Sequence, residues 1–200
     1  MKKFLPLIIV GAIVLIGYFY FKGINNTAVT LDQDVKESWG NVQTSYQRRN
    51  DLIGNLVKTV QGSADFEKST LEAVIKARSE ATSVKIDPTN MTPEQLTQFN
   101  QAQGNLNSSL SRLLVTVEQY PDLKANQNFL KLQDELASTE NQILTARTRF
   151  NESVQKYNNY ILVFPNSMFL GNYKEKPYFD AVAGAEKPVN VEFDFNNEKK

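Results

Sequence analysis

Arg48, Arg49, Asn50 and Asp51 form the densest polar cluster in an otherwise apolar helical stripe. A guanidinium offers a planar fork of donors that fits a carboxylate or a phosphate group. Two chemistries are therefore open to Arg49. It can bind a small anion or a partner's acidic group, or it can lie inside the fold, paired with a carboxylate on a facing helix. Glu140, inward-facing beside Thr139, is the candidate for that pairing, and Arg147 is a further cation for an anion site. The candidate network, structural or anion-binding, is Arg48, Arg49, Asp51, Glu140 and Arg147.

Other chemistries are closed by composition. The chain has no histidine and no cysteine, which removes the commonest general base, the commonest metal ligand, thiol nucleophiles and disulfides. Glu135, Glu140 and Glu152 suggest a di-iron carboxylate bundle, but that site needs a Glu-x-x-His pair on each of two helices. No stretch spaces acidic residues as a calcium loop requires. Glycine-rich phosphate loops and nucleophile elbows are absent from the sequence. Basic and acidic residues balance at 22 each, so nothing suggests nucleic-acid binding. The expectation is no enzyme, no metal and no cofactor.

These residues must be positioned by helices. Between Phe4 and Phe21 the chain reads FLPLIIVGAIVLIGYFYF without a charge. At 1.5 Å per residue the run spans about 27 Å, close to the ~30 Å hydrocarbon core. Lys2 and Lys3 precede it, Lys22 follows it, and Tyr18, Phe19, Tyr20 and Phe21 suit the headgroup layer. The run exceeds a signal-peptide core and lacks a small-x-small cleavage site, so an uncleaved anchor is expected. With no cysteine to acylate, a lipoprotein is ruled out. The basic flank favours a cytoplasmic N-terminus, with the bulk of the chain on the outer side of a bacterial inner membrane.

Residues 23–30 read as a polar linker. Beyond them, apolar residues recur at steps of three and four. The first stripe is Leu31, Val35, Trp39, Val42, Tyr46, Arg49, Ile53, Leu56 and Val60, with Gly62 as a stop. A second helix is expected over residues 63–84, its face made by Phe66, Thr70, Ala73, Ala77, Ala81 and Val84. A loop with Asp87-Pro88 follows, and Thr92-Pro93-Glu94-Gln95 has the form of a capping box. The third helix carries a heptad through Leu96, Phe99, Gln103, Leu106, Leu110, Leu113, Val117 and Tyr120. The fourth is expected from residue 123 to 164, with a stripe from Phe129 through Ile143 and Phe150 to Ile161. Short connections predict an antiparallel up-down bundle of four long helices in an all-α chain.

After Pro165 the periodicity stops. Residues 166–179 are aromatic-dense, with Phe169, Tyr173, Tyr178 and Phe179, and are expected to fold back over an end or groove of the bundle. A membrane- or partner-contacting surface is the alternative. The division expected is an anchor over 1–22, a linker over 23–30, a bundle over 31–180 and an extended or disordered tail over 181–200.

Four blocks together resemble the LemA family of bacterial membrane proteins. Arg48-Arg49-Asn50-Asp51-Leu52-Ile53-Gly54-Asn55-Leu56-Val57 is similar to that family's RRxDLIPNLV signature. The others are Leu113 to Ala125, with Glu118-Gln119-Tyr120-Pro121-Asp122; Asn128 to Asn141, with Asp134-Glu135-Leu136; and Ala146-Arg147 with Tyr157-Asn158 and Phe164-Pro165. The chain departs at Gly54, where the family usually shows proline, and at residues 63–66, where it tends to read Tyr-x-x-His. The resemblance implies a membrane helix, an antiparallel helical bundle and no established enzymatic activity. The expected function is a non-enzymatic interaction or scaffold protein of the envelope; the alternative is a signalling or sensor subunit binding an anion near the arginines. Expected partners are the lipid bilayer and other proteins, with homo-oligomerisation left open and no nucleic acid.

Overall fold

The computed structural model describes residues 5–63 and 66–179, and every regular element among them is a helix. The tail over 181–200 lies outside the described residues. α1 covers Leu5–Gln61, α2 Lys68–Ser83, α3 Pro93–Val117, α4 Pro121–Lys124, α5 Gln127–Leu162 and α6 Asn166–Phe169. α1 is the one helix among the described residues long and apolar enough to cross a membrane.

α1 runs 57 residues without a break, about 85 Å at 1.5 Å per residue. Residues 23–30, expected as a linker, are part of it. The reason lies in Ile24 and Ala28, both buried, which carry the apolar stripe back from Leu31 and Val35 at helical steps. Of the polar residues between them, Asn26 and Thr27 face outward, while Asn25 is half-buried and accepts from the Tyr173 hydroxyl at 3.1 Å. Thr27 and Thr30 return their hydroxyls to the carbonyls of Gly23 and Asn26, each at 3.1 Å.

The side of α1 beyond Ile24 is matched by α5 in the opposite direction. Tyr160 donates to the Ile24 carbonyl at 3.2 Å, the Ser38 and Ser153 hydroxyls meet at 2.8 Å, and Arg49 meets Glu140. α2 and α3 also run antiparallel, for Phe66 lies against Tyr120 and Gln103 donates to the Ala81 carbonyl. α3 closes on α1 through Tyr46 and Phe99, ring centroids 4.9 Å apart.

The second helix, expected over 63–84, covers Lys68–Ser83, and both its buried face and the start of the fourth long helix differ from expectation. The buried face of α2 is Leu71, Val74, Ala77 and Ala81, whereas Ala73 is exposed, because the larger Leu71 and Val74 claim the interior. The fourth long helix begins at Gln127 instead of residue 123. Asn126 interrupts it by capping, its side chain accepting from the backbone N–H groups of Asn128 and Phe129 at 2.9 and 3.2 Å. The capping box at Thr92 and Gln95 forms as expected.

The buried apolar residues fall into two clusters along the long axis. The anchor-side cluster joins Ile24 to Tyr46 of α1, Leu96 and Phe99 of α3 and Ile143 to Ile161 of α5. The far cluster joins Leu52 to Val60, the α2 face, Leu106 to Val117, Phe129 and Leu136.

A helical junction and a linker respond differently to proline. Thr27 is exposed, so Thr27→Pro leaves the core untouched but removes an internal helix bond and clashes with the preceding turn, at a cost of about 3 kcal/mol. Thermal unfolding of the full chain in detergent, followed by circular dichroism, should drop well below that of Thr27→Ala. Equal melting of the two variants would mean that residues 23–30 behave as a linker.

Candidate functional site

The seam between the two apolar clusters is polar. Arg49 sits one turn beyond Tyr46, only 4% exposed. Its Nη1 donates to Glu140 Oε1 at 3.0 Å, its Nη2 donates to Gln103 Oε1, and its guanidinium lies 4.9 Å from the Tyr46 ring centre. Gln103 completes the seam by donating its amide to the Ala81 carbonyl at 3.3 Å. Thr139, fully buried, turns its hydroxyl back to the Glu135 carbonyl. α1, α2, α3 and α5 therefore meet around one guanidinium.

Arg147 reaches the same region from α5. Its guanidinium covers the Phe179 ring at 4.5 Å, and its charge acts on the Tyr46 phenol. Burial pushes the Tyr46 phenol above its ordinary pKa of 10.0, and the Glu140 charge adds to this; the charges of Arg147 and Arg49 oppose it. Arg49, buried, and Glu140 and Arg147, both half-buried, thus gather around Tyr46.

Arg48 and Asp51 do not join them. Both are exposed on the opposite face of α1, where Gln47 donates to Asp51 at 2.9 Å and Arg78 Nη2 lies 4.0 Å from it. Arg78, on α2, was not foreseen as part of any site. It lies across α1 and donates Nε to the Asn50 carbonyl at 2.8 Å. Gly54 makes room for it, because a Cβ there would stand 3.1 Å from the Arg78 guanidinium. The departure from proline at this position therefore accompanies a close crossing of α1 and α2.

A second polar cluster was also missed, and it holds the aromatic segment after α6. Asn158 and Asn151, two turns apart on α5, act as backbone clamps. Asn158 donates to the Lys176 carbonyl at 2.8 Å and accepts from its N–H at 2.9 Å. Asn151 does the same with Phe179, at 3.0 and 2.9 Å. The spacing matches, since seven helical residues rise about 10.5 Å, the reach of three extended ones. Phe179 is thereby seated among Trp39, Phe99 and Phe150. The segment folds back over the helices as expected.

Lys176 is buried in the same cluster. Its Nζ donates to Asp32 Oδ1 and the Pro88 carbonyl, both at 2.9 Å, above the Tyr157 ring. Burial acts to raise the pKa of Asp32, but hydrogen bonds and charge from Lys36 and Lys176 outweigh it and hold the carboxyl below its ordinary 3.8. Burial, with the Asp32 charge, pushes the Tyr157 phenol up to about 12. The one sequence signal for this cluster was the pair of asparagines on the inward side of an apolar helix.

Two predictions follow from these geometries. Glu140 is 44% exposed on its side chain, so loss of Arg49 leaves a carboxylate that water can still reach, whereas loss of Glu140 strands a buried cation. Glu140→Ala should therefore destabilise by about 3 kcal/mol, the lower end for a broken buried pair, and by more than Arg49→Met. Denaturant titration of the full chain gives both values, and a reversed order would refute the assignment. The second concerns pH. A carboxyl whose folded pKa is depressed adds stability above its unfolded value, and that stability is lost as pH falls through the folded one. Amide exchange over residues 173–179 should therefore accelerate as pH drops through and below 3.8, relative to the rest of the bundle. Asp32→Asn should abolish that selective acceleration.

The comparisons with known proteins agree with one another. The model of the LemA family matches residues 38–193. The chain is 27% identical over 183 residues to Magnetosome protein MamQ 2 of Paramagnetospirillum magneticum, covering 82% of this chain and 67% of that protein. It is 28% identical over 184 residues to Magnetosome protein MamQ of Magnetospirillum gryphiswaldense, with the same coverage. Protein LemA of Metamycoplasma hominis is 27% identical over 154 residues, covering 76% of this chain and 67% of that one. The matched region takes in the arginine seam, the asparagine clamps and most of the helical body, and the chain belongs to the LemA family.

Proposed function

We propose that this chain is a single-pass, non-enzymatic scaffold of the bacterial cell envelope. In this reading α1, α2, α3 and α5 form an up-down four-helix bundle with coiled-coil-like packing, held on the outer side of the inner membrane. The observation that carries it is the continuity of α1, whose apolar first third and bundle-forming remainder are one helix. A bundle fixed in this way has a set height and orientation above the bilayer, which suits a protein that positions partners. Missing histidine and cysteine, and the absence of a metal-holding group among the described residues, fit a binding role better than a catalytic one.

The anion-sensor reading finds less support. Two donor nitrogens of Arg49 are already engaged, and Arg147 is stacked on Phe179. Of these three arginines, Arg48 alone is fully exposed.

Two arms test the scaffold reading on the full chain in intact cells. A cysteine placed at Lys131, exposed on α5, should react with a membrane-impermeant maleimide added outside, while one at Lys2 should react only with a permeant reagent. A photo-crosslinking residue at exposed Leu144 should give discrete adducts to other proteins. Failure to form adducts from exposed positions on α2, α3 and α5 alike would overturn the scaffold role.

A further inference from the structure

The base of the bundle carries a cluster of apolar side chains that no helix covers. Leu162 ends α5, Val163 and Phe164 follow it, and Met168 and Phe169 lie on α6; Phe164 is 79% and Met168 71% exposed. Contiguous exposed apolar groups of this kind mark contact with something outside the fold.

Their height identifies what that is. Tyr160 bonds to Ile24, and α5 runs antiparallel to α1, so its last two residues descend about 3 Å past that level toward the apolar run. The chain then turns into α6, whose last residue, Phe169, packs on Phe21 at the end of the apolar run with ring centroids 5.9 Å apart. The exposed cluster is continuous with the aromatic end of the span, which includes exposed Tyr18, Tyr20 and Phe21.

Charge gives an independent indication. No charged residue occurs from Tyr157 to Tyr173, and on α1 none occurs between Lys22 and Asp32. The polar residues of this layer are instead Asn159, Asn166, Ser167 and Asn172. A layer rich in aromatic and neutral polar groups, closed above by Lys156 and Lys174, has the composition of a membrane–water interface.

We propose that the α5–α6 corner is a second membrane contact, with Phe164, Met168 and Phe169 inserted among the lipid headgroups beside the anchor. This rests on the reading of the apolar part of α1 as a membrane span. The contact would seat the bundle on the bilayer at two points and stop it from tilting about α1.

The absence of native cysteine makes the test direct. Single cysteines replace Phe164, Met168, Ile13 within the span and Val115 at the far end of α3, all exposed, so the fold is undisturbed. Each full-length variant carries an environment-sensitive fluorophore and is reconstituted in phosphatidylcholine–phosphatidylglycerol vesicles with lipids bearing a quencher at shallow or deep positions. At 164 and 168, blue-shifted emission quenched more by the shallow lipid is expected, at 13 stronger quenching by the deep one, and at 115 neither. Labels at 164 and 168 that stay aqueous while 13 is lipid-quenched would overturn the second contact and leave the anchor standing. Labels shielded from aqueous quencher but untouched by either lipid would assign the cluster to a second copy, and overturn it equally. An aqueous label at 13 would overturn the anchor and the proposal with it.

Discussion

The buried guanidinium of Arg49 is the constraint to which the helices answer. An unpaired charge at that depth costs several kcal/mol, so the fold must bring it acceptors. Glu140 arrives from α5 and Gln103 from α3, and Gln103 in turn is tied to α2 through Ala81. Apolar stripes alone would tolerate a slip of α5 along α1 by a turn, because apolar residues recur at steps of three and four on both. The seam opposes it, since a slip of α5 separates Arg49 from Glu140 and leaves it Gln103 on α3. One polar layer thus sets the register of α1, α3 and α5 between two apolar clusters that are individually less specific.

Continuity of α1 adds a mechanical consequence. A helix that carries both an apolar run and a bundle face transmits position from one to the other, because there is no joint between them. Ile24 and Ala28 bind the junction to the body through the same packing that operates at Val35 and Trp39. At this level Tyr160 and Tyr173 secure it further, through the Ile24 carbonyl and the Asn25 side chain.

The segment over residues 173–179 solves a different problem. It has no regular structure, so its backbone groups need partners from elsewhere. Asn151 and Asn158 supply both donor and acceptor at two points, replacing the ladder a neighbouring strand would offer. Phe179 then fills the aromatic cluster around Trp39, and Lys176 finds Asp32 and the Pro88 carbonyl. Side chains on one helix thereby hold an extended chain that could not otherwise be buried.

Local signals carried much of this in the sequence itself. The charge-free run before Lys22, the stripe through Trp39 and Ile53, the heptad of α3 and the capping box at Thr92 depend only on periodicity and short-range chemistry, and they reappear as helices. The pairing of Arg49 with Glu140 was also legible, because a lone cation on an apolar stripe demands an inward carboxylate on another. What periodicity could not supply is the path between 23 and 30, where the polar residues Asn25, Asn26 and Thr27 read as a break until Tyr160 and Tyr173 are placed against them. Nor could it separate Arg48 and Asp51 from the seam, since adjacent residues on a helix point to different faces and only packing decides which face is inside. The partnerships of Arg78 with Asn50, and of Lys176 with Asp32, join residues far apart in the chain through side-chain reach. Tertiary structure alone decides those, because the energy of each contact depends on a distance that no local pattern encodes.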